Sequence, residues 1–381
     1  MDTILDQLDL MAVEVDTANR EKVLGAIRSI QLQLETPHNT LSRLSSLHLE
    51  ITTIRVGVDL GIFRILADND NPLTISPLSE KTDAAPPVLG RILRHLASAG
   101  AIRETALDTF AANSITKTLS QPGYEGAIRH WFDNVGPCFQ AWPDFLKEIK
   151  YEDVSNASNC AFQKAFDTDE TAFEWLSKYP ERFGPLQQAM TVQSVADDWF
   201  DVFPLEKMLS EFTGACAFID VAGGFGQQCQ TLLRRFPDLL HGRIILQDLK
   251  ETVNNIPPDF SGFEKMAHDI FMPQPVKGAR FYYMRAILHD WPDDKCVEIL
   301  RHLTASFGQD SQILINEMVL PSTGVPWEAT SIDLAMMACS GARERTISEW
   351  HALLDAAGLK ILRVDTYAAR CQNSIIQAAL K

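Results

Sequence analysis

The feature that most constrains this chain is a buried strand running into a glycine turn: Ala217-Phe218-Ile219-Asp220-Val221, then Ala222-Gly223-Gly224-Phe225-Gly226. Gln228 to Phe236 then reads as a helix. Strand, glycine turn and helix make a ligand-holding corner when they sit in a parallel sheet. The rest of the C-terminal half supplies one. Arg243–Asp248, Arg280–Met284 and Gln312–Glu317 have the composition of strands, and Asp293–Leu303 and Ser348–Ala357 that of helices. This alternation predicts an α/β fold, a Rossmann-like doubly wound and mostly parallel sheet. Ligands of such sheets sit at the carboxyl ends of the strands.

The glycine spacing narrows the ligand. A dinucleotide fingerprint, G-x-G-x-x-G, begun at position 222 meets Ala222 and Gln227, and begun at Gly224 it meets Cys229. Both registers fail, which disfavours a diphosphate seat. Gly224 and Gly226 still allow a tight turn and close approach of a ligand to the backbone. The acid leading the run, Asp220, favours a cationic or amino-acid end. Asp248 closes the second strand, where a carboxylate accepts both hydroxyls of a ribose. Asp269 stands at the next strand end, placed to meet an adenine amino group. The competing view makes these acids ordinary turn residues.

The N-terminal half is helical. Residues 1–36 carry Leu5, Leu8, Met11 and Val15 at helical steps and read as an arm whose apolar stripe needs a partner. Residues 37–120 read as helix, helix, helix and hairpin, the winged-helix arrangement. Arg91, Arg94 and His95 on its third helix are either a DNA-reading face or the solvated face of a dimerisation helix. Residues 121–200 are dense in aromatics, including His130, Trp131 and Phe132, and are expected to line an apolar pocket as well as to fill core. Residues 201–381 form the sheet domain.

Charge decides between some of these functions. The 381 residues hold 34 Lys and Arg against 50 Asp and Glu, a net charge of −16. Affinity for phosphate backbones comes from cations displacing counterions, so nucleic acid is not an expected partner. Seven cysteines with no C-x-x-C pair read as reduced thiols rather than a zinc site. There is no run of some 18 apolar residues and no leader-like start, so a cytoplasmic protein without a membrane span is expected.

After Phe281–Met284 comes Arg285-Ala286-Ile287-Leu288-His289-Asp290-Trp291. His289-Asp290-Trp291, the glycine turn, Asn316-Glu317 and Arg343-Glu344-Arg345-Thr346 together resemble the S-adenosylmethionine-dependent O-methyltransferases of the plant caffeate and fungal secondary-metabolite type. The likeness spans roughly residues 40–381. It implies a class I methyltransferase domain, a winged-helix domain that forms a homodimer, and S-adenosylmethionine as cofactor. No metal is implied.

The resemblance also implies roles. Asp220, Gly224 and Gly226 would border the methionine part of the cofactor, Asp248 would hold the ribose, and Asp269 with Phe271 would address the adenine. Arg285 stands where the family usually has Lys, and Ser194 would lie near the cofactor. Met190, Met336, Asp290, His130 and Trp131 would meet a hydroxylated aromatic, enolic or pyridone-like substrate; core packing is the alternative for both methionines. His289 would be the general base, oriented by Glu317 and Glu344. The alternative for His289 is a helix-start histidine bonded to Asp290. Ala222 departs from the family by replacing its first glycine. Some fungal members keep the cofactor for pericyclic or dehydration chemistry without methyl transfer, and His130 would suit that chemistry. Retention of His289, Glu317 and Glu344 favours methylation.

Overall fold

The computed structural model describes residues 15–193, 199–368 and 370–381. Ser194 and the apolar positions Leu5, Leu8 and Met11 lie outside them.

Two long helices lead. Helix α1 (Thr17–Leu34) starts where Asp16 accepts the Asn19 N–H at 2.8 Å. Helix α2 (Pro37–Asp59) starts at a Thr36/Asn39 capping box with proline in its first turn. Both are the expected chemistry for satisfying orphan N–H groups. The end of α2 packs with α3 (Ile62–Ala67), α4 (Ile75–Thr82) and α5 (Pro86–Ser98) around Val58, Phe63, Leu78, Leu89, Leu93, Leu96 and Phe110. A three-stranded sheet, β1 (Leu73–Thr74), β3 (Thr109–Ala111) and β2 (Arg103–Ala106), closes this core, completing the winged-helix arrangement. Arg94 on α5 pairs with Asp108 of the hairpin at 3.0 Å, so that cation serves the fold.

Next come α6 (Pro122–Arg129), a π-helical turn over His130–Val135 and α7 (Gly136–Glu148). The π-turn has a chemical cause. Pro137 has no N–H to give the Asp133 carbonyl, and Arg182 supplies the missing donor through Nη1 at 2.7 Å. Gly136 bonds five residues back, to the Trp131 carbonyl. Arg182 belongs to α9 (Pro180–Gln193), which follows α8 (Ala172–Ser177). Gly123 and Gly126 let α9 lie against α6; a Cβ at Gly126 would stand 2.4 Å from Gln188 Cβ.

The C-terminal sheet is seven strands wide along its main path, with an antiparallel pair at one edge and parallel strands in the rest. Strands β4 (Phe218–Val221), β5 (Ile244–Asp248), β6 (Glu264–Ala267), β7 (Phe281–Arg285) and β8 (Gln312–Leu320) are parallel. The last two, β10 (Leu359–Ala368) and β11 (Asn373–Leu380), add antiparallel to β8. The central strands are covered on both faces and therefore mostly apolar, with buried polar groups such as Asp220, Gln247 and Glu317 among them. Phe218, Tyr283 and Leu314 meet Trp199 and Phe203 on one side. Ile219, Tyr282, Met284 and Ile313 meet Trp350 and Leu353 on the other.

Candidate functional site

Each central strand ends in a turn at the same edge of the sheet. After β4 the chain passes through left-handed backbone at Ala222 (φ 55), Gly224 (φ 61) and Gly226 (φ 87) before the helix Gln227–Arg235 begins. Around Gly224 there is open space: an added Cβ would meet only Gln227 Oε1, at 3.8 Å. Gly226 is different, because a Cβ there would lie 2.6 Å from the Phe263 ring. The turn therefore offers bare backbone outward at Gly224 and packs inward at Gly226.

Asp248, at the end of β5, accepts the Gly224 N–H at 2.8 Å on Oδ2 and the Leu249 N–H at 2.7 Å on Oδ1. The Thr252 side chain also hydrogen-bonds to this carboxylate, which still leaves acceptor capacity for a ligand hydroxyl. Burial raises its pKa above the usual carboxylate value. Asp220 is only 1% exposed. Its carboxyl lies beneath the turn, where Cys229 Sγ donates to it at 3.4 Å, and burial pushes its pKa up to about 7. Asp269 is exposed and accepts the Phe271 N–H at 2.9 Å, which fixes the bend after β6. Phe271 packs edge-on against Trp291 at 4.7 Å, and Trp291 stacks on Phe173 at 5.9 Å. Arg285 ends β7, and its positive charge reaches Asp220.

Beyond Arg285, Ala286 turns the chain through left-handed backbone (φ 51) into a short 3-10 turn, Leu288–Asp290. His289 Nδ1 lies 2.6 Å from Glu344 Oε1 and 3.9 Å from Glu317 Oε2. Nε2 faces Asp290 Oδ1 at 3.7 Å. Glu317 uses its other oxygen to accept the N–H groups of Ile287 and Leu288 at 2.8 and 2.9 Å. Burial alone would depress the His289 pKa, but Glu344, Glu317 and Asp290 outweigh it and hold the pKa well above the usual histidine value. Burial raises Glu317 to about 7 and Asp290 to about 6. The ligating atoms of His289, Glu317 and Glu344 fall within 4.8 Å of one another, a spacing at which they hold a proton or a cation. The remaining Glu344 oxygen is buried without a hydrogen-bond partner.

His130 opens the π-turn. Its Nδ1 lies 3.0 Å from Asn134 Nδ2, which also donates to the Arg182 carbonyl at 3.0 Å, while Asn134 Oδ1 faces Arg182 Nη1 at 3.3 Å. Arg182 thereby fixes the amide's orientation, so His130 Nδ1 accepts and its proton resides on Nε2. Burial lowers the His130 pKa to about 4, leaving the ring neutral. The aromatic region meets the sheet edge through the Phe173–Trp291 stack and along the helix Trp327–Ser340, where Ala338 packs with Cys138 and Phe162, and where Cys339 makes a thiol hydrogen bond with Cys138 of α7 and senses the charge of Asp290. Met336 is half-buried on that same helix, and Met190 is exposed on α9.

Sequence reasoning did not single out Asn134, Arg182 or Asp333, whose carboxylate accepts the Glu344 N–H at 2.9 Å. It also missed the work of Arg345. Pro137 after an aromatic helix was the one available signal for the π-turn. The two carboxylates beside His289 come from segments far apart in sequence, and no spacing rule pairs them.

A glycine turn at the edge of a doubly wound sheet, with an acid closing the next strand, is the class I methyltransferase arrangement. A family model for the O-methyltransferase domain matches residues 147–360, and one for the O-methyltransferase dimerisation domain matches residues 42–121. The chain belongs to the S-adenosylmethionine-dependent O-methyltransferases. Demethylsterigmatocystin 6-O-methyltransferase of Aspergillus flavus is 40% identical over 100% of this chain and 98% of its own length. The 16-O-methyltransferase bsc6 of Alternaria brassicicola is 39% identical, over 96% of this chain and 93% of its own. The structure of LepI, an Aspergillus flavus protein, in complex with S-adenosylmethionine superposes with a TM-score of 0.94 at 34% identity, covering 100% of this chain and 98% of LepI. Another structure with that score and identity is described as a pericyclic reaction enzyme. OxaC with S-adenosylhomocysteine and oxaline gives 0.88 at 25% identity, over 100% and 98% of the two chains. The cofactor of this enzyme is S-adenosylmethionine, and the open backbone at Gly224 beside the Asp248 carboxylate fits it.

Proposed function

We propose that this enzyme methylates a hydroxyl oxygen of an aromatic, enolic or pyridone-like secondary metabolite, with His289 as general base. The observation that carries this reading is the buried 2.6 Å contact between His289 Nδ1 and Glu344 Oε1, backed by Glu317. The cofactor supplies an electrophilic methyl group on a positively charged sulfur. Asp248 would hold its ribose, Gly224 and Gly226 its methionine end over Asp220, and Asp269 with Phe271 its adenine. Arg285 would complete that side.

A phenol or enol is a poor nucleophile until it loses its proton. The raised pKa of His289 means that the ring must first give up its Nε2 proton. With Glu344 accepting at Nδ1, the neutral form then has its free lone pair on Nε2, and Nε2 takes the substrate proton. Glu344 and Glu317 stabilise the imidazolium that results, as a carboxylate does in a serine-protease triad. The triad is assigned to a proton, with no metal ion. His130 would donate its fixed Nε2–H to a substrate oxygen, while Trp131, Met190, Asp290 and Met336 shape the pocket.

His289→Ala is expected to leave S-adenosylmethionine affinity unchanged by calorimetry while turnover falls by about 10²–10⁴-fold. Near-normal turnover would remove His289 from the base role. The LepI likeness supports one rival, cofactor-retaining pericyclic chemistry. Methyl-labelled cofactor separates the two: label in the product supports transfer, and an isomerised product without label supports the rival.

A further inference from the structure

We propose that Arg345 is a positioning residue that holds the His289 turn so that the ring meets Glu344; this rests on the reading of His289 as base. Arg345 is a fully buried cation, at 0% exposure. Burying a charge is costly unless every donor is used. Here the whole fork is engaged. Nη1 donates to the Leu288 carbonyl at 3.0 Å, and Nη2 to the Trp291 carbonyl at 3.1 Å. Nε and Nη2 both reach Asp293 Oδ1, at 3.0 and 2.7 Å. Leu288 and Trp291 bracket His289 and Asp290, so the guanidinium ties both ends of the turn that carries the base.

The turn is a three-residue 3-10 segment after a left-handed alanine, with two internal bonds, from the Asp290 and Trp291 N–H groups to the Ile287 and Leu288 carbonyls. Glu317 holds the Ile287 and Leu288 N–H groups, and Cys296 Sγ shares the Leu288 and Trp291 carbonyls at 3.1 and 3.3 Å; Arg345 adds the charged fork that joins those two carbonyls to Asp293. Glu344 precedes Arg345 in sequence, and consecutive residues of an extended chain point to opposite faces. The pair therefore grips the base twice, Glu344 at the ring and Arg345 at the backbone. Asp333 anchors the grip by accepting the Glu344 N–H, and β9 (Arg345–Thr346) docks on β8 with Arg345 opposite Val319.

The test is Arg345→Lys in the full chain. Lysine keeps the charge but cannot span two carbonyls three residues apart with a planar fork. Without the tie the ring should leave Glu344, and its pKa should fall toward the ordinary value of about 6.5. Nitrogen NMR of the His289 ring reads that shift without any substrate. In turnover, kcat should fall by ~10²-fold, the scale of a 1 Å misplacement, with KM for S-adenosylmethionine changed less than about twofold. Loss of general packing would lower kcat without moving the ring pKa downward. If Arg345→Lys does not fold, Asp293→Ala, at the half-exposed end of the clamp, should move the ring pKa the same way by a smaller amount. An unmoved His289 pKa in the variant that folds would overturn the proposal. Normal methyl transfer by His289→Ala would instead defeat the base reading and leave the NMR result standing.

Discussion

Ala222 and Ala286 both hold left-handed backbone, at the carboxyl ends of β4 and β7. For a residue with a Cβ that conformation costs about 1–2 kcal/mol. Such strain gathers where a chain must turn sharply at a working edge. At Ala222 a glycine would hold the same backbone without that cost. Ala222→Gly is therefore expected to stabilise the enzyme by about 1 kcal/mol, seen as a higher thermal midpoint in calorimetry. A lower midpoint would mean that the methyl group makes contacts worth more than the strain. Ala286 carries the same strain one residue after Arg285, where it throws the chain from the strand into the His289 turn.

The carboxyl edge of the sheet concentrates groups that retain protons. Burial raises Asp220 and Glu317 to about 7 and Asp290 to about 6, and the three surrounding carboxylates raise His289. All four act in one direction. For the acids, the folded state stays protonated while the unfolded chain ionises near 4, so stability is lost as pH climbs through 6 to 7. The His289 contribution is fully present below about 6.5 and is lost as pH rises through its raised value. The ligand-free enzyme should therefore melt at a lower temperature at pH 8 than at pH 5.5, and Glu317→Gln should flatten that slope. A midpoint that climbs over the same range would contradict the assigned proton holdings. The strands that build this edge were legible because burial on both faces makes them continuous apolar runs, as in Phe281–Met284. The glycine turn, Asp248 and the His289, Glu317 and Glu344 set were legible as residues. Their convergence was not, since Glu344 reaches His289 through the pairing of β9 with β8 and the Asp333 anchor, both distant in sequence from the histidine. Strands β10 and β11 escaped notice: Lys360, Arg363, Asp365 and Thr366 give β10 no apolar run, because it lies at the sheet's edge. The π-turn was hidden too, since its cause lies in a proline and in an arginine distant in sequence.

At the scale of the whole molecule, the long N-terminal helices present apolar surface among the described residues. Leu24, Ile27, Ile30 and Leu34 on α1 and Leu41, Leu44 and Leu47 on α2 are all exposed, several by more than half. A contiguous patch of this kind marks an interface in a water-exposed protein. Helix α1 is fixed to the rest of the chain at one side, where Arg28 lies 4.3 Å over the Trp327 ring, and Glu35 pairs with Arg43 across the bend into α2. Those contacts orient the two helices and leave their leucines outward. The dimerisation-domain match begins at residue 42, inside α2, so the same helix belongs to the matched segment. A homodimer closing over α1 and α2 is the expected assembly, and light scattering is expected to give twice the chain's 42.6 kDa. Leu44→Glu with Leu47→Glu places two charges in that seam, where each is desolvated without a partner. The double variant should run as a monomer, with its domain core around Phe63 and Phe110 intact by circular dichroism. A dimer that persists through both substitutions would place the interface on another face and leave these leucines unexplained.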